Sequence, residues 1–157
     1  MTSSSPIPNA ALWLGVAGLI PFVLGATLAL AGTSMDAIFG NGSTGHAVPS
    51  DGPEILRHYG VIILAFMSGV LWGFSTRVQG REAATGYALS VVPALWAFFT
   101  TAGDTKVALL ALLIGFLGLL ALDWHFWRVR LAPAWWMRLR ILLTSVVAPC
   151  LIAGWWA

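Results

Sequence analysis

Five long stretches of the chain are apolar at nearly every position, and shorter, more polar connections separate them. A helix needs about 20 apolar residues to cross the hydrocarbon core of a bilayer. The pattern therefore predicts five transmembrane helices, at residues 10–32, 54–75, 84–101, 106–122 and 135–156. A membrane β-barrel would need alternating apolar and polar positions, which these stretches lack. The predicted fold is an all-α bundle in a single membrane domain over residues 1–157.

The composition supports a surface that faces lipid. Hydrophobic residues make up 59% of the chain and charged residues 9%, whereas a soluble domain has about 25% charged residues. The expected partner is the lipid bilayer. A net charge of +2 without a basic stripe indicates no nucleic acid. The first apolar stretch is longer than the core of a signal peptide, about 7–15 residues, so we expect it to be a retained helix.

The basic residues predict an orientation. Six arginines would lie on one side of the bilayer, whereas Arg57 and Lys106 would lie on the other; the six are Arg77, Arg81, Arg128, Arg130, Arg138 and Arg140. The positive-inside rule then places the N-terminus in the cytoplasm and the C-terminus outside. Arginine outnumbers lysine seven to one, and with abundant Ala and Gly this is typical of a GC-rich bacterial genome. The predicted location is the bacterial inner (plasma) membrane, with multiple passes.

Most of the tryptophans lie at the predicted helix ends, where indole rings favour the headgroup level. They would form an inner belt of Trp13, Trp124, Trp127, Trp135 and Trp136 and an outer belt of Trp155 and Trp156. Trp72 and Trp96 instead lie within the second and third spans. Pro21, Pro93 and Pro149 lie near the middle of three spans, where they either open a midplane cavity or are simply tolerated. A cavity lined by Trp72 and Trp96 would favour ligand binding.

The second span contains a small-residue motif, Ser68-Gly69-Val70-Leu71-Trp72-Gly73. Gly69 and Gly73 form a GxxxG pair, which lets another helix backbone approach closely. One interpretation is packing within the bundle. The other is a groove beside Trp72 that admits a ligand or a helix of another membrane protein.

Charged residues meet at the inner ends of the fourth and fifth spans. Asp123 closes the fourth span, and Arg138 and Arg140 open the fifth. Residues 138 and 140 lie about 200° apart around a helix, so only one can face Asp123. An ion pair there would close the hairpin, and if exposed it would contribute about 0–1 kcal/mol. The alternative is that the arginines hold an anionic lipid headgroup.

The sequence contains no motif that indicates a reaction. Glu54 and His58 lie four residues apart near the outer end of the second span, with Asp51 and His46 before them, but the set lacks the spacing of a metal site. No serine has a nucleophile motif, and there is no glycine-rich phosphate loop. The expectation is that the protein is not an enzyme and has no catalytic residue, metal or cofactor.

Three blocks of sequence resemble one known family. They are residues 12–22, with Leu12-Trp13-Leu14-Gly15; residues 59–73, with Tyr59-Gly60, Phe66, Ser68-Gly69 and Trp72-Gly73; and residues 133–144, with Pro133-Ala134-Trp135-Trp136-Met137-Arg138-Leu139-Arg140 and Leu142-Leu143-Thr144. They are similar to domain-of-unknown-function family 3429, which includes human transmembrane protein 69. The resemblance implies the membrane fold and places Trp72, Arg138 and Arg140 in recurring motifs, but it implies no reaction.

Two functions are consistent with these features. The first is an accessory, assembly or interaction protein that binds another membrane protein through small-residue faces. The second is binding or transport of an apolar or amphipathic ligand, such as a lipid, a quinone or a porphyrin. The residues expected to serve either function are Ser68, Gly69, Trp72, Gly73, Trp96, Asp123, Arg138 and Arg140.

Overall fold

The computed structural model describes residues 6–39 and 51–157. These residues form an all-α bundle, and the part described contains no strand beyond an isolated bridge between Ser34 and Asp51. The helices are α1 (Asn9–Ala17), α2 (Ile20–Ala31), α3 (Met35–Phe39), α4 (Gly52–Ser75), α5 (Gly80–Thr100), α6 (Thr105–Arg128) and α7 (Trp136–Trp156). Within the described residues, five segments are long and apolar enough to cross a membrane, with α1 and α2 together forming the first.

Several helix bounds differ from the sequence prediction. α6 continues to Arg128, six residues beyond the predicted end of the fourth span at residue 122, and α5 begins at Gly80 rather than at residue 84. The sequence prediction left the connection at residues 33–53 outside the spans. This connection contains the short helix α3, and Gly52 and Pro53 already belong to α4. A polar residue near the end of a span does not end the helix when neighbouring helices supply its hydrogen-bond partners. Asp123 of α6 is such a residue, and its partners are described below.

The first span is broken at Gly18 and Leu19. Pro21 lies in the first turn of α2 and has no amide hydrogen to continue the hydrogen-bond ladder of α1. The carbonyl of Gly18 accepts a hydrogen bond at 3.0 Å from the Tyr59 hydroxyl of α4. Pro93 and Pro149 lie inside α5 and α7, which are each continuous as helices. Of the three prolines, Pro21 alone therefore accompanies a break in its span.

α4 is the central helix and packs against α2, α5, α6 and α7. Its buried leucines Leu56, Leu64 and Leu71 meet a row on α6, which consists of Leu109, Leu112, Phe116, Leu119 and Phe126. Small residues allow the closest helix crossing. A Cβ on Gly52 would lie 2.4 Å from the Ala29 nitrogen and from the Gly25 oxygen of α2.

Two hydrogen bonds between residues that are distant in sequence show that the loops lie at opposite ends of the bundle. At one end, Arg57 donates to the Gly103 carbonyl, between α5 and α6, at 3.1 Å. At the other, Arg77 donates to the Leu131 carbonyl, between α6 and α7, at 3.4 Å. The helices therefore alternate in direction, as the five-span prediction requires.

Candidate functional site

A buried ion pair joins α6 to α7. The Nε of Arg140 lies 2.6 Å from the Oδ2 of Asp123, and the side chains are 4% and 0% exposed. The other carboxylate oxygen, Oδ1, accepts a hydrogen bond at 2.7 Å from the indole nitrogen of Trp136. Both oxygens of Asp123 are therefore occupied. Trp136 also contacts Phe74 of α4 edge to face at 5.0 Å, which fixes the position of its ring.

The prediction that only one arginine faces Asp123 agrees with this geometry. Arg140 is the partner, and Arg138 is exposed. The expectation of a weak, exposed bridge was wrong, because α6 extends beyond Asp123 and carries the carboxylate into the interior. Losing one partner of a buried pair leaves an uncompensated charge and costs about 3–5 kcal/mol. Arg140 is also too deep to hold a lipid headgroup at the surface of the bundle.

Next to the ion pair lies a cavity of about 400 Å³ between the first span, α4 and α7, which we call the apolar cavity. Most of its lining is aliphatic or aromatic. The residues that line it are Ala11, Leu14, Gly15, Gly18, Leu19, Phe22, Ile63, Phe66, Met67, Val70, Phe116, Trp136, Leu139, Arg140, Leu143, Thr144 and Val147. Leu14 and Phe66 are 74% and 63% exposed on the outer surface of the bundle. The apolar cavity therefore reaches the surface that faces lipid.

Two polar atoms in the lining of the apolar cavity have no hydrogen-bond partner among the described residues. They are Nη2 of Arg140 and Oγ1 of Thr144, and each side chain is 4% exposed. A buried polar group without a partner is costly, about 1–3 kcal/mol, and such groups normally bind water or a ligand. The two residues lie four apart on α7, so they point from the same helix face. We call the part of the lining that Arg140 and Thr144 form the polar end of the apolar cavity.

The break in the first span helps to shape the apolar cavity. Gly18, Leu19 and Phe22, at and just after the break, all line it. Phe22 is 1% exposed and contacts Phe116 edge to face at 5.9 Å, which forms part of the inner wall. The apolar cavity is lined by none of Pro21, Pro93 and Pro149. It is flanked by α4 and α7 rather than centred on the prolines of the other spans.

The GxxxG pair does not pack within the bundle, contrary to the first of its two interpretations. A Cβ added to Gly69 or to Gly73 would meet no atom within 4 Å. Both glycines face outward, next to Trp72, which is 48% exposed and contacts Tyr87 with ring centroids 4.5 Å apart. Close approach within the bundle uses other glycines, such as Gly52, because the motif faces away from the neighbouring helices.

Trp96 and Ser68 make contacts between spans and lie outside the apolar cavity. The indole nitrogen of Trp96 donates to the Ala111 carbonyl of α6 at 2.8 Å. The buried Ser68 hydroxyl donates to the Ser90 carbonyl of α5. Neither Trp72 nor Trp96 lines the apolar cavity, so the cavity that would have joined these two residues is not the one observed.

At the opposite end, the Glu54 cluster ties α4 to the first residue of α6. Glu54 lies 3.0 Å from the Arg57 guanidinium and 3.4 Å from the His58 ring, and it accepts a hydrogen bond from Thr105. Asp51 is exposed, and His46 lies outside the described residues. Within residues 6–39 and 51–157, no three His, Cys, Asp or Glu side chains are grouped as metal ligands would be. The cluster is a set of ion pairs and hydrogen bonds.

Sequence reasoning missed Thr144 and assigned Trp136 to a membrane belt. Trp136 is instead 9% exposed and bonded to Asp123. The sequence did contain a signal for these residues. Trp136, Arg140 and Thr144 are spaced four residues apart, so they form one polar stripe along α7. The walls of the apolar cavity carried no such signal, since they come from residues distant in sequence that have no shared motif.

Comparison with known proteins extends the resemblance to nearly the whole chain. The profile of the family described as "Protein of unknown function (DUF3429)" matches residues 7–156. Transmembrane protein 69 of Xenopus tropicalis is 32% identical over 150 residues, which are 94% of this chain and 54% of that protein. The chain thus spans about half the length of this relative. No solved structure matches the chain. The chain belongs to the DUF3429 family, whose function is unknown.

Proposed function

We propose that this protein binds a lipid-soluble, amphipathic molecule in the apolar cavity. One observation carries the proposal: two buried hydrogen-bonding atoms, Arg140 Nη2 and Thr144 Oγ1, lack partners at the polar end of an otherwise apolar cavity. A small-molecule site is typically concave and mostly apolar, with a few placed polar groups and a volume of about 300–1,000 Å³. The apolar cavity fits that description. The proposal includes binding or transport and no catalytic step.

The residues around the polar end hold its hydrogen-bonding groups in place, which favours a binding site over a packing defect. Arg140 is held by Asp123 at 2.6 Å, and Asp123 is held in turn by Trp136 at 2.7 Å. The guanidinium therefore keeps its orientation whether or not the apolar cavity is filled. Leu14 and Phe66 at the exposed edge leave a route from the bilayer, so a ligand can enter sideways and leave its tail among the lipids.

A filling substitution tests this function. Val70 lines the apolar cavity from α4, whereas Ile62 lies on the same helix, is 61% exposed and does not line it. The wild-type protein and the variants Val70→Trp and Ile62→Trp are purified from native membranes in dodecyl maltoside. Small molecules are then extracted and quantified by mass spectrometry, and the thermal midpoint of each variant shows that it is folded.

We expect one enriched amphipathic species, near one molecule per chain, with the wild type and Ile62→Trp. Val70→Trp should lose it. The proposal is wrong if no species is enriched with the wild type, or if the two tryptophan variants retain the same amount.

A second candidate function is an accessory or interaction role with another membrane protein. The observation that favours it is the outward face of Gly69 and Gly73, where nothing lies within 4 Å of an added Cβ and Trp72 is half exposed. A partner helix could approach this face closely. Crosslinking in native membranes through a photoreactive residue at position 69 tests it, with position 62 as the control on the same helix. Crosslinking to one membrane protein from position 69 alone would support this role.

We also propose the bacterial inner membrane as the location, with the N-terminus inside. The six-to-two distribution of basic residues supports the orientation. The arginine-rich, lysine-poor composition supports a bacterial source.

A further inference from the structure

The charge balance at the polar end restricts the class of ligand. We infer that the ligand has an uncharged head with a carbonyl oxygen, such as an ester or a quinone, joined to an apolar tail. This inference rests on the proposed function and concerns the same site. It follows from which buried polar atoms of Arg140 and Thr144 lack a hydrogen-bond partner and from the net charge of the ion pair.

The ion pair is already neutral as a whole. Asp123 offers one negative charge to Arg140, and of the described residues that line the apolar cavity, Arg140 alone is ionisable. A carboxylate or phosphate head would therefore add a negative charge without a second cation to balance it. In a site this apolar and buried, an unbalanced charge costs several kcal/mol. The same argument disfavours porphyrins with free carboxylates.

The two unpartnered atoms favour a hydrogen-bond acceptor. The guanidinium Nη2 of Arg140 is a donor only, and the Thr144 hydroxyl can donate as well. A carbonyl oxygen has two lone pairs and brings no hydrogen of its own, so one oxygen can accept from both groups. A pure hydrocarbon would leave both without a partner, and each such group is costly when buried.

Four probes that share a ten-carbon chain separate these possibilities. Methyl decanoate has a neutral ester, as acyl lipids do; a decyl-substituted benzoquinone has the quinone carbonyls; decane has no head. Decanoate is tested at about pH 9, where the carboxyl is ionised. Each is titrated against the purified protein in dodecyl maltoside, a detergent without carbonyl groups. The dissociation constant is obtained from the dependence of the thermal midpoint on probe concentration.

We expect at least one carbonyl probe to bind about tenfold more tightly than both decanoate and decane. The tighter of the two carbonyl probes identifies the source as an acyl lipid or a quinone. Thr144→Val keeps the shape of the side chain. It should raise the dissociation constant of the carbonyl probe about fivefold without changing that of decane. Ser145→Ala is the matched control, because Ser145 is exposed and donates to the Leu142 carbonyl of its own helix. Arg140 is not substituted, since its loss would also break the pair with Asp123.

The outcomes separate this inference from the proposed function. If decanoate or decane binds as tightly as the carbonyl probes, or if Thr144→Val has no effect, the neutral-carbonyl head is wrong while binding in the apolar cavity stands. If none of the four probes shifts the midpoint, as when buried water alone satisfies Nη2 and Oγ1, both the inference and the proposed function are overturned.

Discussion

The carboxylate of Asp123 is fully buried in a bundle whose buried hydrophobic residues are mostly leucine, alanine and phenylalanine. Its two oxygens are satisfied by Arg140 and Trp136, at 2.6 Å and 2.7 Å. Such a group is tolerated only while its partners remain, because desolvation of an unpaired charge is far larger than the gain from any single contact. The three residues therefore act as one unit that fixes the junction of α6 and α7 and orients Arg140 toward the apolar cavity.

A double-mutant cycle should measure this coupling. Arg140→Ala alone should destabilise the protein by about 3–5 kcal/mol, because Asp123 is left buried and unpaired. Asp123→Ala combined with Arg140→Ala should recover part of that loss. The measurement is the free energy of unfolding in detergent or nanodiscs.

Arg138→Ala provides the control for this cycle. Arg138 is exposed, and both oxygens of Asp123 already accept bonds from other residues. We therefore expect no coupling between Arg138 and Asp123 beyond about 0.5 kcal/mol. Equal coupling of Asp123 to both arginines would contradict the assignment of Arg140 as the partner.

At the scale of helices, small residues decide which surfaces touch. Gly52 of α4 meets the backbone of α2 on two sides, whereas Gly69 and Gly73 of the same helix meet nothing. Sequence alone could identify the GxxxG pair but could not tell an inward face from an outward one, because the surface of a membrane helix that faces lipid is as apolar as the surface that packs in the bundle. The five spans were predictable from length and apolarity. The end of α6 was not, because the partners that bury Asp123 lie on another helix.

Matched alanine substitutions on α4 test this difference. Gly52→Ala should lower the stability by about 1–3 kcal/mol or more, since backbone atoms lie 2.4 Å from the new Cβ and cannot move away easily. Gly69→Ala should leave the thermal midpoint unchanged or slightly raised, because alanine favours helices more than glycine does. Similar losses for the two variants would show that the face of Gly69 is packed after all.

Larger substitutions at the outward glycines distinguish lipid exposure from a partner. Gly69→Leu and Gly73→Leu should keep the thermal midpoint of the purified protein, because there is open space beside both. If this face binds another membrane protein, the same variants should shift the complex to a smaller size on native gels of solubilised membranes. Loss of stability in the purified protein would contradict the observed geometry.

At the scale of the whole molecule, the alternating helices place most of the arginines, in loops and at helix ends, at one end of the bundle. The bond from Arg77 to the Leu131 carbonyl joins two of these loops directly. The Glu54 cluster and the bond from Arg57 to Gly103 mark the other end. The apolar cavity opens between the first span, α4 and α7, so its polar end lies on the α6–α7 side, toward the end that is rich in arginine.

Reporter fusions test the orientation of these ends. By the positive-inside rule, fusions after Gly80 and after Pro133 should report the cytoplasm, and fusions at Gly42 and Ala157 should report the outside. The position Gly42 lies outside the described residues, in the connection before α4. An external signal after Gly80 would reverse the orientation and move the polar end of the apolar cavity to the other half of the membrane.

The central claim is that the two unpartnered polar atoms of α7 hold the head of a bound amphipathic molecule. The most direct measurement is an electron cryo-microscopy map of the protein in nanodiscs, at a resolution that shows ordered water. The account predicts elongated density that fills the apolar cavity, with its polar end within hydrogen-bonding distance, about 2.7–3.2 Å, of Arg140 Nη2 and Thr144 Oγ1. Isolated water-sized density at those two atoms, with the rest of the apolar cavity collapsed or empty, would contradict it.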